Sequence, residues 1–211
     1  YMTFPRLAAL AEIAWVPKGK KNWNEFLKGL DNFDKHLEQK GIIYARSMYN
    51  IQHKVTPEES GKLKVELECE RPDMEIHYTL DGTEPMETSA VYDSAFVVDK
   101  DVEIKAATFT KGKQMGKTLI LPIHWNKATA KPLVGAPKEM GILVNGLRGS
   151  LKQNDFEWYT GGLSQPISFV IDLLKPEKMK RFAVGCITNY GMGVHKPKMI
   201  RVEVSDDNRT Y

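Results

Sequence analysis

The sequence has little cysteine, no long apolar run and little net charge. Its two cysteines, Cys69 and Cys186, lie far apart and fit no metal-ligand spacing. We expect each to be a small buried residue, with a disulfide between them as the alternative. No apolar run approaches the ~20 residues that a membrane span needs. A net charge of +3 over 211 residues is too small to indicate a nucleic acid or an anionic membrane as partner.

Apolar residues make up 42% and charged residues 27% of the chain, as in ordinary globular proteins. The charge is uneven: residues 1–50 carry +3, residues 51–125 carry −5 and residues 126–211 carry +5. The period of the apolar positions changes at the same places, so we predict three domains with these bounds. The chain begins with Tyr1 rather than methionine, and we therefore expect a mature or excised piece of a longer protein.

Residues 1–50 have the spacing of two amphipathic helices. Pro5 suits a first helical turn, and Asn22 with Glu25 three residues later has the form of a capping box. The first apolar stripe ends at Trp15 and the second at Leu37. Two such helices cannot bury both stripes against each other alone. We expect them to pack on the β part of the chain or on another copy.

Within this segment, Pro5-Arg6 followed by Ala11-Glu12-x-Ala14-Trp15 forms a specific motif. With Trp23-Asn24-Glu25-Phe26 and Gly41-Ile42-Ile43-Tyr44, it resembles the end of the catalytic domain of glycoside hydrolase family 20, the β-N-acetylhexosaminidases and chitobiases. The resemblance implies that residues 1–50 are the C-terminal helices of a (β/α)₈ barrel. A whole barrel of this kind needs ~250 residues.

The same resemblance implies a catalytic Asp-Glu pair on an earlier strand and a sugar-binding Trp-x-Glu upstream of the Pro-Arg helix. This sequence contains no Asp-Glu dipeptide, and its Trp23-Asn24-Glu25 follows the helix. We therefore predict no catalytic residue, no metal and no cofactor in this chain. Arg6 and Glu12 could form a catalytic or substrate-binding pair, but a structural role is favoured.

From about Lys62 the apolar period becomes two, which predicts strands with one solvated face. Short strands with turn signals between them, such as Asp81-Gly82-Thr83, indicate a β-sandwich. Residues 78–85, followed by Ser89, Tyr92 and Phe96, resemble the immunoglobulin-like C-terminal domain of chitobiases and hexosaminidases. That domain has no chemistry of its own. We interpret Asp81 as a turn-forming residue rather than a metal ligand.

Residues 128–138 have the composition of a linker. The later runs Leu143-Val144-Asn145-Gly146, Trp158-Tyr159-Thr160-Gly161 and residues 197–207 resemble the discoidin, or factor V/VIII C-type, domain, with Asn145 where an Asp is usual. The resemblance implies a galactose-binding-like jelly roll, of which the chain would hold a part. The overall prediction is a mainly β protein: a helical barrel remnant, a sandwich and a truncated jelly roll.

Discoidin-like modules bind through loops at one end of the barrel, which makes Arg148, Asn154, Trp158 and Tyr159 candidate carbohydrate-binding residues. Trp158 could stack on a sugar ring or fill the sandwich core, and the family pattern favours the core. Arg148 and Tyr159 are then expected to carry more of any sugar affinity than Trp158.

Together these resemblances imply the C-terminal accessory part of a β-N-acetylhexosaminidase. The parent enzyme removes terminal N-acetylhexosamine from glycans through attack by the substrate's own acetamido oxygen. A carbohydrate-binding module and a purely structural brace are the alternatives. The implied location is the periplasm, the cell surface or the medium. Exposed helical stripes would allow self-association.

Overall fold

The computed structural model of the chain describes residues 3–151, 157–159, 166–207 and 209–211. Two α-helices precede the β part: α1 (Arg6–Trp15) and α2 (Trp23–Gln39). The strands are β1 (Ile51–Pro57), β2 (Leu63–Cys69), β3 (Glu75–Thr79), β4 (Ala90–Val91), β5 (Phe96–Val98), β6 (Val102–Thr110), β7 (Lys113–Gln114), β8 (Leu119–Ile123), β9 (Leu133–Val134) and β10 (Val170–Ile171). Short 3₁₀ turns occupy Lys18–Lys20, Ser47–Tyr49, Lys138–Val144 and Tyr190–Met192. The predicted mainly β architecture is confirmed.

Strands β1 to β8 form two antiparallel sheets. One has the order β1-β2-β5, and in the other β6 is central, with β3 and β4 on one side and β7 and β8 on the other. Leu63 and Val65 from the first sheet share one core with Ile104 and Ala106 from the second, and all four are 0% exposed. The alternation predicted from Lys62 onward is therefore that of β2, whose apolar residues face this core.

The turns between these strands follow local rules. Asp81 Oδ1 accepts hydrogen bonds from the Thr83 N–H (3.1 Å) and the Thr83 hydroxyl (2.6 Å), so its predicted turn-forming role is confirmed. Lys111 and Gly112 have φ of 48° and 74° and join β6 to β7 as a two-residue hairpin. Positive φ at both central positions matches the twist of the flanking strands.

Strand β1 was not predicted. It pairs with β2 along its whole length, from Ile51 opposite Cys69 to Pro57 opposite Leu63. Only Ile51 and Val55 of its side chains are buried in the core, and polar residues fill the other positions. The strand is specified mainly by its partner, because β2 would otherwise expose a row of unpaired backbone groups.

Helix α2 packs on the sandwich, as its stripe predicts. Asn22 Oδ1 accepts from the Glu25 N–H (3.2 Å) at its start, and Gly41 ends it with φ 67°. Leu27 and Leu30 form a buried cluster with Met48 and Tyr49, with Met74 and Met115 of the β part against it. This contact joins the helical segment to the sandwich.

Helix α1 is largely exposed within this chain, and its packing on another copy stays a prediction. None of its residues is buried, and Trp15 is 87% exposed. Ala8 reaches the cluster on α2, but Leu10 and Ile13 remain 62% exposed. An open apolar groove of about 520 Å³ separates the two helices, lined by residues that include Phe4, Trp15, Phe26 and Phe33. The described residues do not cover the first stripe.

Residues 126–211 show little strand pairing among their described residues. The strands among their described residues are β9 and β10, which pair with each other. Ile200, Val202 and Val204 alternate along the chain but are each about half exposed or more and lie outside any strand. A strand needs a partner to satisfy its backbone, and no described segment supplies one there. The jelly roll stays a prediction.

Two smaller expectations are corrected. Thr129 and Ala130, within the predicted linker, are each 1% exposed, and Ala130 belongs to the sandwich core. Cys186 is exposed and Cys69 is half-buried, and both are free thiols. Cys186 was expected to be buried, but its neighbouring segment lies on the surface without strand pairing. The disulfide alternative is not formed.

Gly116 lies too close to the Tyr49 carbonyl oxygen to carry a side chain. Thr108 Oγ1 joins the two segments, because it donates to that carbonyl oxygen (2.7 Å) and accepts from the Gly116 N–H (3.0 Å). A Cβ on Gly116 would overlap that carbonyl oxygen. Gly116→Ala is expected to lower the free energy of unfolding by about 2–3 kcal/mol, measured by urea denaturation. The control is Gly29→Ala, in the middle of α2 with nothing within 4 Å, which should raise it by about 1 kcal/mol. Equal effects of the two variants would contradict this packing.

Candidate functional site

Three of the four predicted site residues can be located. Arg148 is exposed, directly after the segment that turns back onto the sandwich, and Trp158 and Tyr159 are both half-buried. Asn154 lies outside the described residues. Trp158 was expected in the core and Tyr159 at the surface, but the two residues fall in the same class of burial.

The ring of Trp158 lies against main chain. Its Nε1–H donates to the Ser150 carbonyl oxygen (2.7 Å). A Cβ on Gly149 would overlap the indole, and a Cβ on Gly185 would lie 3.7 Å from it. The glycines therefore let the backbone approach the ring closely. Trp158 is a fixed aromatic surface, a property that both a core residue and a sugar platform require.

Beside Trp158 lies a polar cluster that the sequence did not reveal. Glu157 Oε1 is 2.7 Å from His53 Nε2, and Glu157 Oε2 accepts from Asn145 Nδ2 (2.9 Å). The side chains of His53 and Glu157 are 17% and 12% exposed, and Asn145 is 2% exposed. His53 belongs to β1 of the sandwich, so the cluster connects the two parts of the chain.

The cluster favours an amide rather than a carboxylate at position 145. Its Oδ1 accepts from the Leu147 N–H (2.9 Å) while its amide donates to Glu157. An ionised aspartate has no donor and would place a second negative charge against the Glu157 carboxylate. The amide satisfies both neighbours.

Nothing in the sequence connects His53 with Glu157, because they are 104 residues apart. Asn145 could have been noticed, since the departure from the family pattern was visible. The other suggested pair is not supported as a site: Arg6 is exposed on α1, and Glu12 lines the groove between the helices.

The segment holds a fixed indole at Trp158, an exposed guanidinium at Arg148 and a half-buried tyrosine at position 159. Within the described part of the chain, no three His, Cys, Asp or Glu side chains lie close enough to hold a metal ion. No helix there is both long and apolar enough to cross a bilayer.

Comparison with known proteins relates the chain to a family and to a curated protein. The Fn3-associated family matches residues 65–120, which run from β2 to β8 of the sandwich. A β-hexosaminidase of Porphyromonas gingivalis is 31% identical over 161 residues, which cover 72% of this chain and 19% of that protein. The chain thus spans about a fifth of the length of this curated relative. These matches relate the chain to a region of a hexosaminidase.

The Glu157 cluster should hold the described residues on either side of the gap, 145–151 and 157–159, against the sandwich. Glu157→Ala leaves Asn145 Nδ2 without its carboxylate acceptor and removes the partner of His53. A buried polar group that loses its partner costs about 1–3 kcal/mol, so the midpoint of urea unfolding at neutral pH should fall.

The matched control is Glu203→Ala, which removes an ion pair with Arg201 whose side chains are 43% and 75% exposed. Exposed pairs contribute about 0–1 kcal/mol. If the two variants unfold at the same midpoint, Glu157 has no special role in this contact.

Proposed function

We propose that this chain is the C-terminal accessory part of a β-N-acetylhexosaminidase and carries no catalytic residues of its own. The observation that supports this most strongly is the 31% identity to a β-hexosaminidase over 161 residues, only 19% of that protein. The Fn3-associated match to the sandwich is consistent with an accessory domain. The parent enzyme would act on glycans with terminal N-acetylhexosamine.

The finer assignments belong to the same proposal. Residues 1–50 are the last helices of a family 20 catalytic barrel, residues 51–125 an immunoglobulin-like domain and residues 126–211 part of a discoidin-like domain. The exposed stripe of α1 supports the first assignment, because an outer barrel helix needs a body against which to pack. The parent is placed in the periplasm, on the cell surface or in the medium.

A second candidate function is carbohydrate binding by the C-terminal segment. It is favoured by the fixed ring of Trp158 beside the exposed Arg148 and by Tyr159. Binding to glycans would raise the local concentration of a linked enzyme on its substrate. Pure bracing is the third candidate, favoured by the contact of Glu157 with His53.

The chain itself should not hydrolyse a chromogenic N-acetylglucosaminide. The expectation follows from the absence of an Asp-Glu dipeptide in its sequence. Turnover is measured by absorbance beside an authentic β-hexosaminidase and a heat-treated sample of the chain. Turnover clearly above the heat-treated sample would refute the accessory assignment.

Binding is tested on an array of glycans ending in N-acetylglucosamine or N-acetylgalactosamine. If the segment binds sugar, Arg148→Ala and Tyr159→Ala should each weaken binding about tenfold, the effect of losing about 1.4 kcal/mol of binding free energy. Trp158→Ala should mainly lower the melting temperature, because its ring contacts Gly149 and Ser150.

The charge-matched control is Arg181→Ala, which removes another exposed arginine of the same segment. This variant should bind glycans as the unaltered chain does. A Trp158→Ala variant that keeps its melting temperature but loses binding would make Trp158 the platform. If the unaltered chain binds no glycan, structural bracing is the function that remains.

A further inference from the structure

Asp34 of α2 is a buried acid without a partner. The residue is 4% exposed, and Arg71 and Tyr49 of the β part and the segment before it act on its carboxyl group. Neither carboxyl oxygen has a hydrogen-bond partner among the described residues. Burying an ionised carboxylate in this way is costly, whereas the protonated acid has no net charge to desolvate.

The groups around Asp34 relieve this cost only in part, because Arg71 and Tyr49 favour the carboxylate while burial, Asp31 and Glu38 disfavour it. Asp31 and Glu38 flank it on α2, and Tyr44 and Tyr49 face it from the segment before β1. The nearest cation is Arg71, which follows β2 and is already engaged. Its guanidinium donates to Asp31 at 2.7 and 3.2 Å and to Asp73 twice at 2.7 Å. Lys113 of β7 acts on Glu38.

We propose that the contact between α2 and the sandwich is a pH-responsive joint, held most firmly when Asp34 is protonated and loosened when Asp34 ionises. Separation of α2 from the sandwich would give the Asp34 carboxylate access to water. The joint therefore opens more often as the pH rises toward neutrality. Among the described residues, Asp34 is the only buried side chain of α2 whose polar atoms lack a hydrogen-bond partner.

The sign of the effect follows from the direction of the shift. Burial, with Asp31 as a second cause, raises the pKa of Asp34 from 3.8 to about 6, and Arg71 opposes them. The folded state thus binds this proton more tightly than the unfolded state does. The stabilisation is fully present below pH 3.8 and is lost as the pH rises through about 6. Two pKa units correspond to about 100-fold in the equilibrium constant for opening.

Hydrogen exchange of the α2 amides, compared between the full unaltered chain and Asp34→Asn, tests the joint. Comparison at one pH cancels the pH dependence of the intrinsic exchange rate. At pH 7.5 the amides of Leu30 and Leu37 should exchange up to about 100-fold faster in the unaltered chain than in the variant. At pH 4.5 the two rates should approach each other.

The matched control is Asp99→Asn, which removes an acid whose side chain is 60% exposed and whose nearest cation is 3.9 Å away. It should leave the α2 rates unchanged at both pH values. Equal rates for the unaltered chain and Asp34→Asn at pH 7.5, or faster exchange in the variant, would overturn the proposal.

A second measurement needs no variant. The carboxyl ¹³C shift of Asp34 in the unaltered chain, followed by NMR from pH 3 to 8, should titrate with a midpoint near 6. A midpoint below about 4.5, close to that of an ordinary aspartate, would refute the joint whether or not Asp34→Asn folds.

Discussion

The guanidinium of Arg71 is the interaction on which the assembly of helix and sandwich depends. The side chain is 2% exposed and bridges Asp31 of α2 to Asp73 after β2, over the ring of Tyr49. A buried charge survives only with partners of this kind. Because Asp31 lies on α2, docking of the helix gives the buried guanidinium a second carboxylate beside Asp73. The apolar cluster of Leu27, Leu30 and Met48 gives the contact area, and Arg71 fixes its position.

A second polar contact joins the sandwich to the C-terminal segment. Glu157 reaches back to His53 of β1, and Asn145 supports it from the segment that leaves the sandwich. The β1–β2 hairpin therefore lies between two charged contacts, one toward the helices and one toward the C-terminal segment. This arrangement explains how a small sandwich can organise the parts before and after it, which is the role expected of an accessory domain.

Patterns within a few neighbouring residues predicted the strands, turns and helix caps that short-range interactions specify. The alternation of Leu63, Val65 and Leu67 identified β2, and Asp81 and Asn22 formed the turn and the cap that their side chains favour. Strand β1 was missed because its pattern contains only Ile51 and Val55, and its evidence is the partner strand. The stripe of α1 gave the correct helix but could not show what covers it.

The candidate site was predicted less well, for a related reason. Arg148, Trp158 and Tyr159 came from a resemblance, and the structure fixes the ring of Trp158 against Gly149 and Ser150. Glu157 and His53 are paired across 104 residues, and Arg71 and Asp31 across 40. Polar contacts of such separation leave no periodic signal in a sequence, so the contacts that hold the chain together are visible only in three dimensions.

The most direct test of this account is a double-mutant cycle between Arg71 and Asp31. The free energy of unfolding is measured by urea denaturation for the unaltered chain, Arg71→Met, Asp31→Asn and the double variant. If Arg71 positions α2 on the sandwich, the coupling energy should be about 2 kcal/mol or more, as for buried charge pairs that lose one partner. A coupling energy near zero, with effects of the two substitutions that simply add, would show that the helix is held by its apolar contacts alone.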